Sequence, residues 1–194
     1  TFGFPIDLTQ LLAREKRLEV DFDGFKAELQ KQKDRSRADA KKESGDWIVV
    51  TEDEKEEFVG YDYTETTVKI TRYREVETKG KRQFHFVFNL TPFYAESGGQ
   101  VGDIGTIVGP DGVLAVVDTN FALPGLRRHI CERVSGEVNE GDVVTARIDV
   151  DARTATRRNH TGTHVLHWAL RSVLGEHVKQ AGSLVSPDRL RFDF

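Results

Sequence analysis

Hydrophobic residues follow two different periods along this chain, and the changes of period divide it into three parts. In the first part, helices are expected to begin at Thr9 and at Asp21 or Asp23, which are residue types that cap helices. The second of these helices loses its apolar stripe after Leu29 and continues with mixed charges to Lys42. That pattern is typical of a helix that projects into solvent, such as a spacer between domains.

Strand-like alternation replaces helical spacing from residue 47 onward. The clearest strand, residues 82–90, places its phenylalanines on one face, where they would fill a core, and turns His85 outward. The turn sequence at residues 110–112 (PDG) predicts a hairpin. Many short strands with glycine-rich turns predict a small antiparallel β-barrel or a sandwich. The other predicted strands are residues 47–50, 66–73, 105–108, 113–118, 126–134 and 142–149.

Helical spacing returns at Asp151, which is the expected cap of a helix of about 24 residues. Gly175 is its expected end. The whole chain is therefore predicted to be an α+β protein. Its three parts are a helical segment (residues 1–45), a strand-rich domain (46–150) and the beginning of a further domain (151–194).

The composition is typical of a soluble globular protein, with 38% hydrophobic and 31% charged residues and a net charge of −4. The sequence has neither an apolar run of about 18 residues nor the basic and apolar regions of a signal peptide, so we predict no membrane contact and a cytoplasmic location. A single cysteine, Cys131, excludes an internal disulfide and a zinc site of paired cysteines. The absence of methionine predicts a segment of a longer polypeptide.

Two histidines on the last predicted helix carry the strongest chemical signal. His160 and His164 are four residues apart, so a helix places both imidazoles on one face within reach of one metal ion. Zinc normally has three or four ligands in proteins, so the others would come from elsewhere. Zinc peptidases have a glutamate directly after the first histidine, whereas this chain has Thr161. The pair alone is weak evidence for a metal site, because histidines at helical spacing also serve as hydrogen-bonding core residues or as surface charges.

A second signal is the polar loop at residues 91–103, which contains Gly98 and Gly99 in succession. One interpretation is a tight loop that needs positive φ angles. The other is a loop whose backbone approaches a ligand or a neighbouring domain. A phosphate-binding P-loop is excluded, because no Gly-Lys-Ser/Thr sequence follows.

Several blocks, taken together and in this order, resemble the alanyl-tRNA synthetase family. They are residues 1–9 (TFGFPIDLT), 92–103 (PFYAESGGQVGD), 157–167 (RRNHTGTHVLH) and 177–183 (HVKQAGS), the last of which continues in a similar way to the end of the sequence. The resemblance implies that residues 1–45 finish a tRNA-recognition domain and linker helix. It also implies that residues 46–150 are the family's β-barrel and that 151–194 begin its α/β editing domain, which hydrolyses mischarged Ser- and Gly-tRNA(Ala).

The resemblance also implies roles for single residues. His160 and His164 match two histidines that bind zinc together with the cysteine and histidine of a Cys-x-x-x-His element, which this sequence does not contain. Cys131 does not match that cysteine. Thr163 and Gln180 match residues of the editing pocket, where the threonine hydroxyl would recognise the hydroxyl of the serine.

The implied parent protein attaches alanine to tRNA(Ala), using ATP and magnesium in an aminoacylation domain outside this sequence, and the present segment alone is expected to be inactive. Its expected partner is the acceptor end of tRNA(Ala). Two alternatives stay open: a free-standing editing hydrolase, against which the linker-like first 45 residues argue, and a catalytically silent RNA-binding module. Basic residues expected to meet RNA phosphates are Arg153, Arg157, Arg158, Lys179, Arg189 and Arg191.

Overall fold

A computed structural model describes residues 6–16, 18–42, 46–51, 56–78 and 80–194. The chain forms two compact units, Thr1–Glu43 and Ser44–Phe194. It is a mixed helix and sheet protein, as predicted, and its main sheet is antiparallel.

Two helices, α1 (Ile6–Glu15) and α2 (Phe22–Lys42), form the first unit. Asp21 caps α2, as predicted, because its carboxylate accepts a hydrogen bond from the Gly24 N–H at 2.8 Å. The other predicted caps are wrong: Asp23 lies in the first turn of α2, and Thr9 lies inside α1, whose helical backbone begins earlier. The solvent-facing stretch predicted after Leu29 mostly lies outside the residues whose side chains the structure describes.

Strands dominate the second unit, and each predicted strand is present. Pairing with a neighbouring strand extends several of them beyond the residues whose own pattern predicts a strand. The strands are β1 (Ile48–Val49), β2 (Glu57–Phe58), β3 (Glu65–Thr78), β4 (Lys81–Phe88), β5 (Leu90–Thr91), β6 (Gly105–Val108), β7 (Gly112–Leu123), β8 (Leu126–Gly136) and β9 (Val143–Ile148).

Seven of these strands form one sheet in the order β1-β3-β4-β8-β7-β6-β9. The long strand β3 pairs with β9 through its first residues and with β4 through its later ones. The pairings therefore return to β3 after passing through β4, β8, β7, β6 and β9. A short parallel pair, β2 with β5, lies outside this circuit.

The phenylalanines of β4 fill the core, as predicted from their alternation. Phe86 and Phe88 are buried, and Phe84 packs against the cluster that they form with residues of the other strands. His85 lies between Phe84 and Phe86 and so on the opposite face of β4, as predicted, but it is only 6% exposed. It is covered because Arg74 Nε donates a hydrogen bond to His85 Nδ1 at 3.1 Å, and the Arg74 guanidinium lies 4.7 Å from the Trp47 ring.

A second histidine, His129, is completely buried in the core. Its Nδ1 lies 3.2 Å from the Phe86 carbonyl oxygen, and its Nε2 lies 2.8 Å from Thr91 Oγ1. Because a carbonyl only accepts, Nδ1 carries the proton and Nε2 accepts a hydrogen bond from the threonine hydroxyl. Burial lowers the pKa of His129 to about 4, so the imidazole is neutral at pH 7.

Helix α3 (Val150–Leu174) follows β9 directly. Asp149 caps it by accepting a hydrogen bond from the Ala152 N–H at 2.9 Å. The predicted cap Asp151 is therefore wrong: this residue lies in the first helical turn, because the helix starts as soon as β9 ends. Gly175 ends the helix, as predicted, with a φ of +116° that suits glycine.

A hairpin of β10 (Gly182–Val185) and β11 (Leu190–Asp193) completes the second unit. Both of its strands contact α3. None of the helices in the described part of the chain is long and apolar enough to cross a membrane.

Acid should destabilise the second unit through His129. The pKa of this residue is about 4 in the folded protein, against 6.5 for an ordinary histidine, so below pH 6.5 the unfolded chain takes up the proton first. From this group alone, we expect the free energy of unfolding to fall by about 3 kcal/mol between pH 7 and pH 4. Urea denaturation at each pH measures it.

The variant His129→Gln should remove this part of the pH dependence. His177→Gln is the matched control, because His177 is exposed on the loop after α3, and it should leave the pH dependence unchanged. The same acid sensitivity in His129→Gln and in the unchanged chain would show that the buried imidazole is not its cause.

Candidate functional site

His160 and His164 lie side by side on α3. Their ring centroids are 5.1 Å apart, and the ring planes are inclined by 37°. Both side chains are exposed. One turn of helix thus brings two imidazoles to the same open surface, where a ligand has access to both.

Gln100, in the loop between β5 and β6, orients the first of these imidazoles. Its side chain is 8% exposed, and its Oε1 lies 2.7 Å from His160 Nδ1. Because an amide oxygen only accepts, Nδ1 carries the proton and Nε2 keeps a free lone pair. This is the usual outer contact of a histidine that binds a metal through its other nitrogen. The sequence signal was a polar side chain directly after two glycines, to which we assigned no role.

The loop that carries Gln100 is joined to the hairpin through backbone atoms. Val185 N–H donates to the Gly99 carbonyl at 2.7 Å, and Val101 N–H donates to the Val185 carbonyl at 3.0 Å. Gly99 has a φ of +84°, and a Cβ atom there would lie 2.5 Å from the Ser183 carbonyl oxygen. The first interpretation of the two glycines is confirmed, because both have positive φ angles. The backbone at Gly99 also closely approaches Ser183 of the hairpin, which belongs to the same compact unit.

Arg153 fastens the start of α3 to the same loop. Its Nε lies 2.9 and 3.0 Å from the two carboxylate oxygens of Asp103, and its Nη atoms donate to the carbonyls of Gly60 and Pro92 at 2.7 and 3.0 Å. Asp103 also accepts from the Tyr94 N–H at 2.7 Å. The side chains of the pair are only 11% and 6% exposed. The phosphate contact predicted for Arg153 is therefore not available, since this guanidinium is occupied inside the protein.

Thr163 lies on a buried face of α3 and is 7% exposed. Its hydroxyl donates to the Asn159 carbonyl at 2.9 Å, so Oγ1 is left free only to accept a further hydrogen bond. Asn159 in turn donates from Nδ2 to the Ser186 carbonyl at 2.8 Å and so holds the hairpin. Gln180 is exposed, and no contact joins it to the two histidines within the described ranges.

Within the described residues, no further metal-binding side chain is grouped with the histidine pair. Among the described residues, no group of three His, Cys, Asp or Glu side chains is placed to hold a metal ion. His167, the next imidazole along α3, packs against the Phe192 ring with centroids 4.9 Å apart. Cys131 is buried in the sheet, where burial raises the pKa of its thiol. The described part of the chain thus offers two adjacent imidazoles, fewer than the three or four ligands that zinc normally has in proteins.

Similarity to known proteins decides the family. Residues 1–152 match the family model described as tRNA synthetases class II (A). The chain belongs to the alanyl-tRNA synthetase family. Similar proteins are the alanine–tRNA ligases of Cytophaga hutchinsonii and Bacteroides fragilis, each 50% identical, and that of Porphyromonas gingivalis, 48% identical. All three align with the whole chain, which spans 22% of the length of each relative.

These matches confirm the family resemblance inferred from the sequence blocks. The family model ends at residue 152, near the start of α3, whereas the relatives also align through α3 and the hairpin. The segment that carries His160 and His164 therefore has counterparts in whole alanine–tRNA ligases.

Loss of Arg153 should strongly destabilise the second unit. Arg153→Ala leaves the buried Asp103 carboxylate without its counter-charge, so we expect the free energy of unfolding to fall by about 3–5 kcal/mol. The control Arg82→Ala breaks an exposed pair with Glu75 and should cost less than about 1 kcal/mol. Urea denaturation compares the two variants, and similar small losses would contradict the anchoring role.

Proposed function

We propose that this chain is part of an alanine–tRNA ligase and contains its β-barrel and the beginning of a zinc-dependent editing domain. The circuit of pairings through β3, β4, β8, β7, β6 and β9 supports the barrel. The division of the chain at Ser44 supports a helical segment over residues 1–45, and the change from β9 to α3 supports a second boundary near residue 151. Whole-chain similarity to ligases favours this function over a free-standing hydrolase.

The observation that carries the editing proposal is the hydrogen bond from His160 Nδ1 to Gln100 Oε1, with His164 alongside. It leaves His160 Nε2 free for a metal, so the two residues fit zinc as neutral nitrogen ligands. The remaining ligands would come from outside this sequence, and the segment alone should therefore bind zinc weakly and be inactive. When bound, zinc would polarise the ester or position the amino group of the substrate.

Substrate choice is assigned to Thr163 and Gln180. Because the Thr163 hydroxyl already donates to Asn159, its oxygen would accept a hydrogen bond from the hydroxyl of a misattached serine. Alanine offers no such donor, which makes its binding less favourable by about 1–3 kcal/mol. Gln180 is exposed, so its amide is accessible to a substrate.

The acceptor end of tRNA(Ala) is the proposed partner. Four exposed basic residues are suited to its phosphates: Arg157, Arg158, Lys179 and Arg189. Arg191 is less suited, because its Nε lies 3.2 Å from a carboxylate oxygen of Asp193. In the proposed whole protein, ATP and magnesium would serve the aminoacylation reaction in a different domain, in the cytoplasm.

Zinc affinity tests the role of Gln100. In a full-length ligase that carries this sequence, Gln100→Leu should weaken zinc binding by about 10- to 100-fold, because His160 loses the contact that fixes its tautomer. Competition with a coloured chelator measures the affinity. Gln83→Leu is the matched control, since its amide contacts Glu132 on the sheet and should not affect zinc. Equal affinity in both variants would refute the positioning role, and a full-length ligase without zinc would refute the metal site.

Deacylation tests the editing function itself. In the same full-length protein, His160→Ala should abolish hydrolysis of both Ser-tRNA(Ala) and Gly-tRNA(Ala). Thr163→Val should slow hydrolysis of the serine ester by about 5- to 150-fold and leave the glycine ester unchanged, because glycine has no hydroxyl to recognise. Equal loss with both esters would mean that Thr163 supports the fold rather than serine recognition.

A further inference from the structure

A cleft of about 350 Å³ lies beside the histidine pair. It is enclosed by the turn that follows β2, by the loop at residues 91–103 and by the start of α3. Two of its walls have contrasting chemistry, since aromatic rings come from the sheet side and a cation and a hydroxyl come from the helix. The side chains that line it include Tyr61, Tyr94, Gln100, Arg157, His160 and Thr161.

Tyr61 presents an aromatic ring at this cleft with its position fixed. The residue is 83% exposed, although it belongs to a tight turn in which the N–H groups of Asp62 and Tyr63 both donate to the Val59 carbonyl, at 3.1 and 3.0 Å. Phe58 supports it from one side, with ring centroids 5.0 Å apart. A large aromatic ring that is held in place and left open to solvent is suited to stacking on a flat partner.

Arg157 adds a positive charge to the opposite wall. It is exposed, and it makes no ion pair or hydrogen bond with any residue that the structure describes. Arg153, one helical turn earlier, is neutralised by Asp103 inside the protein, so Arg157 is the guanidinium of the two that is free for a ligand. An aromatic ring for a base and a guanidinium for a phosphate together match a nucleotide.

We propose that this cleft binds one unpaired nucleotide of the RNA acceptor strand, with its base stacked on Tyr61 and its phosphate paired with Arg157. The proposal rests on the editing function, because it assigns the cleft to the strand that carries the aminoacyl ester. His160 and Gln100 line the same cleft, so the nucleotide bound there lies next to the histidine pair. The volume is near the lower end of small-ligand pockets, about 300–1,000 Å³, and suits one nucleotide rather than a paired helix.

Fluorescence anisotropy with a short, labelled, single-stranded RNA that ends in CCA tests the cleft on this chain. Tyr61→Ala and Arg157→Gln should each weaken binding roughly tenfold. Arg157→Gln should also reduce the slope of log affinity against log salt by about 0.7, the value for one lost phosphate contact on a single strand.

Two matched variants control for general effects on the same elements. Tyr63→Ala removes a ring of the same turn, from a residue that is 59% exposed, and Arg171→Gln removes an exposed cation further along α3; neither residue lines the cleft. Both should bind the RNA like the unchanged chain. If the control variants lose as much RNA affinity as Tyr61→Ala and Arg157→Gln, the proposal is overturned. It is also overturned if free AMP displaces the labelled RNA at the same concentration as unlabelled RNA does, because the cleft would then bind free nucleotides rather than an RNA strand.

The RNA in this test carries no amino acid, so its binding does not depend on hydrolysis. If Tyr61→Ala binds normally while a full-length ligase with this sequence hydrolyses Ser-tRNA(Ala), the cleft proposal fails and the editing function stands. If binding depends on Tyr61 and Arg157 but the full-length protein shows no hydrolysis, the cleft proposal stands and the editing function fails.

Discussion

The buried ion pair between Arg153 and Asp103 is the contact on which the arrangement of the second unit depends. Asp103 ends the glycine-rich loop, and Arg153 lies in the first turn of α3, so the pair joins a loop of the sheet to a helix far along the sequence. Removal of two charges from water is unfavourable unless their hydrogen bonds are satisfied. The Arg153 guanidinium also donates hydrogen bonds to the carbonyls of Gly60 and Pro92. These bonds, together with the ion pair, hold the start of α3 against the loop.

The position of the histidine pair follows from that anchor. Arg153, His160 and His164 are spaced seven and four residues apart, so all three lie along one stripe of α3. On the loop, Gln100 lies three residues before Asp103. This separation is similar to the length of the two helical turns between Arg153 and His160. Gln100 Oε1 therefore lies within hydrogen-bond distance of His160 Nδ1, at 2.7 Å. The loop thus contacts the stripe twice, first through an ion pair and then through the bond that orients an imidazole.

Local patterns in the sequence predicted the parts of the fold that local forces determine. The phenylalanines of β4, the hairpin turn at residues 110–112 and the end of α3 at Gly175 followed from alternation and turn chemistry. The cap of α3 was misplaced, because Asp149 and Asp151 are both suitable residues and periodicity does not separate them. The role of Arg153 was missed, since its partner lies 50 residues away and an arginine on a helix gives the same local signal whether it faces inward or outward.

The tautomer of His160 tests the link between the anchor and the site most directly. A long-range proton–nitrogen correlation spectrum of this chain, recorded at mildly alkaline pH, distinguishes a proton on Nδ1 from one on Nε2. We expect the Nδ1–H form in the unchanged chain and its loss in Gln100→Leu and in folded Arg153→Ala. An Nε2–H form in the unchanged chain, or an Nδ1–H form that survives both substitutions, would contradict the view that the anchored loop prepares this imidazole for a metal.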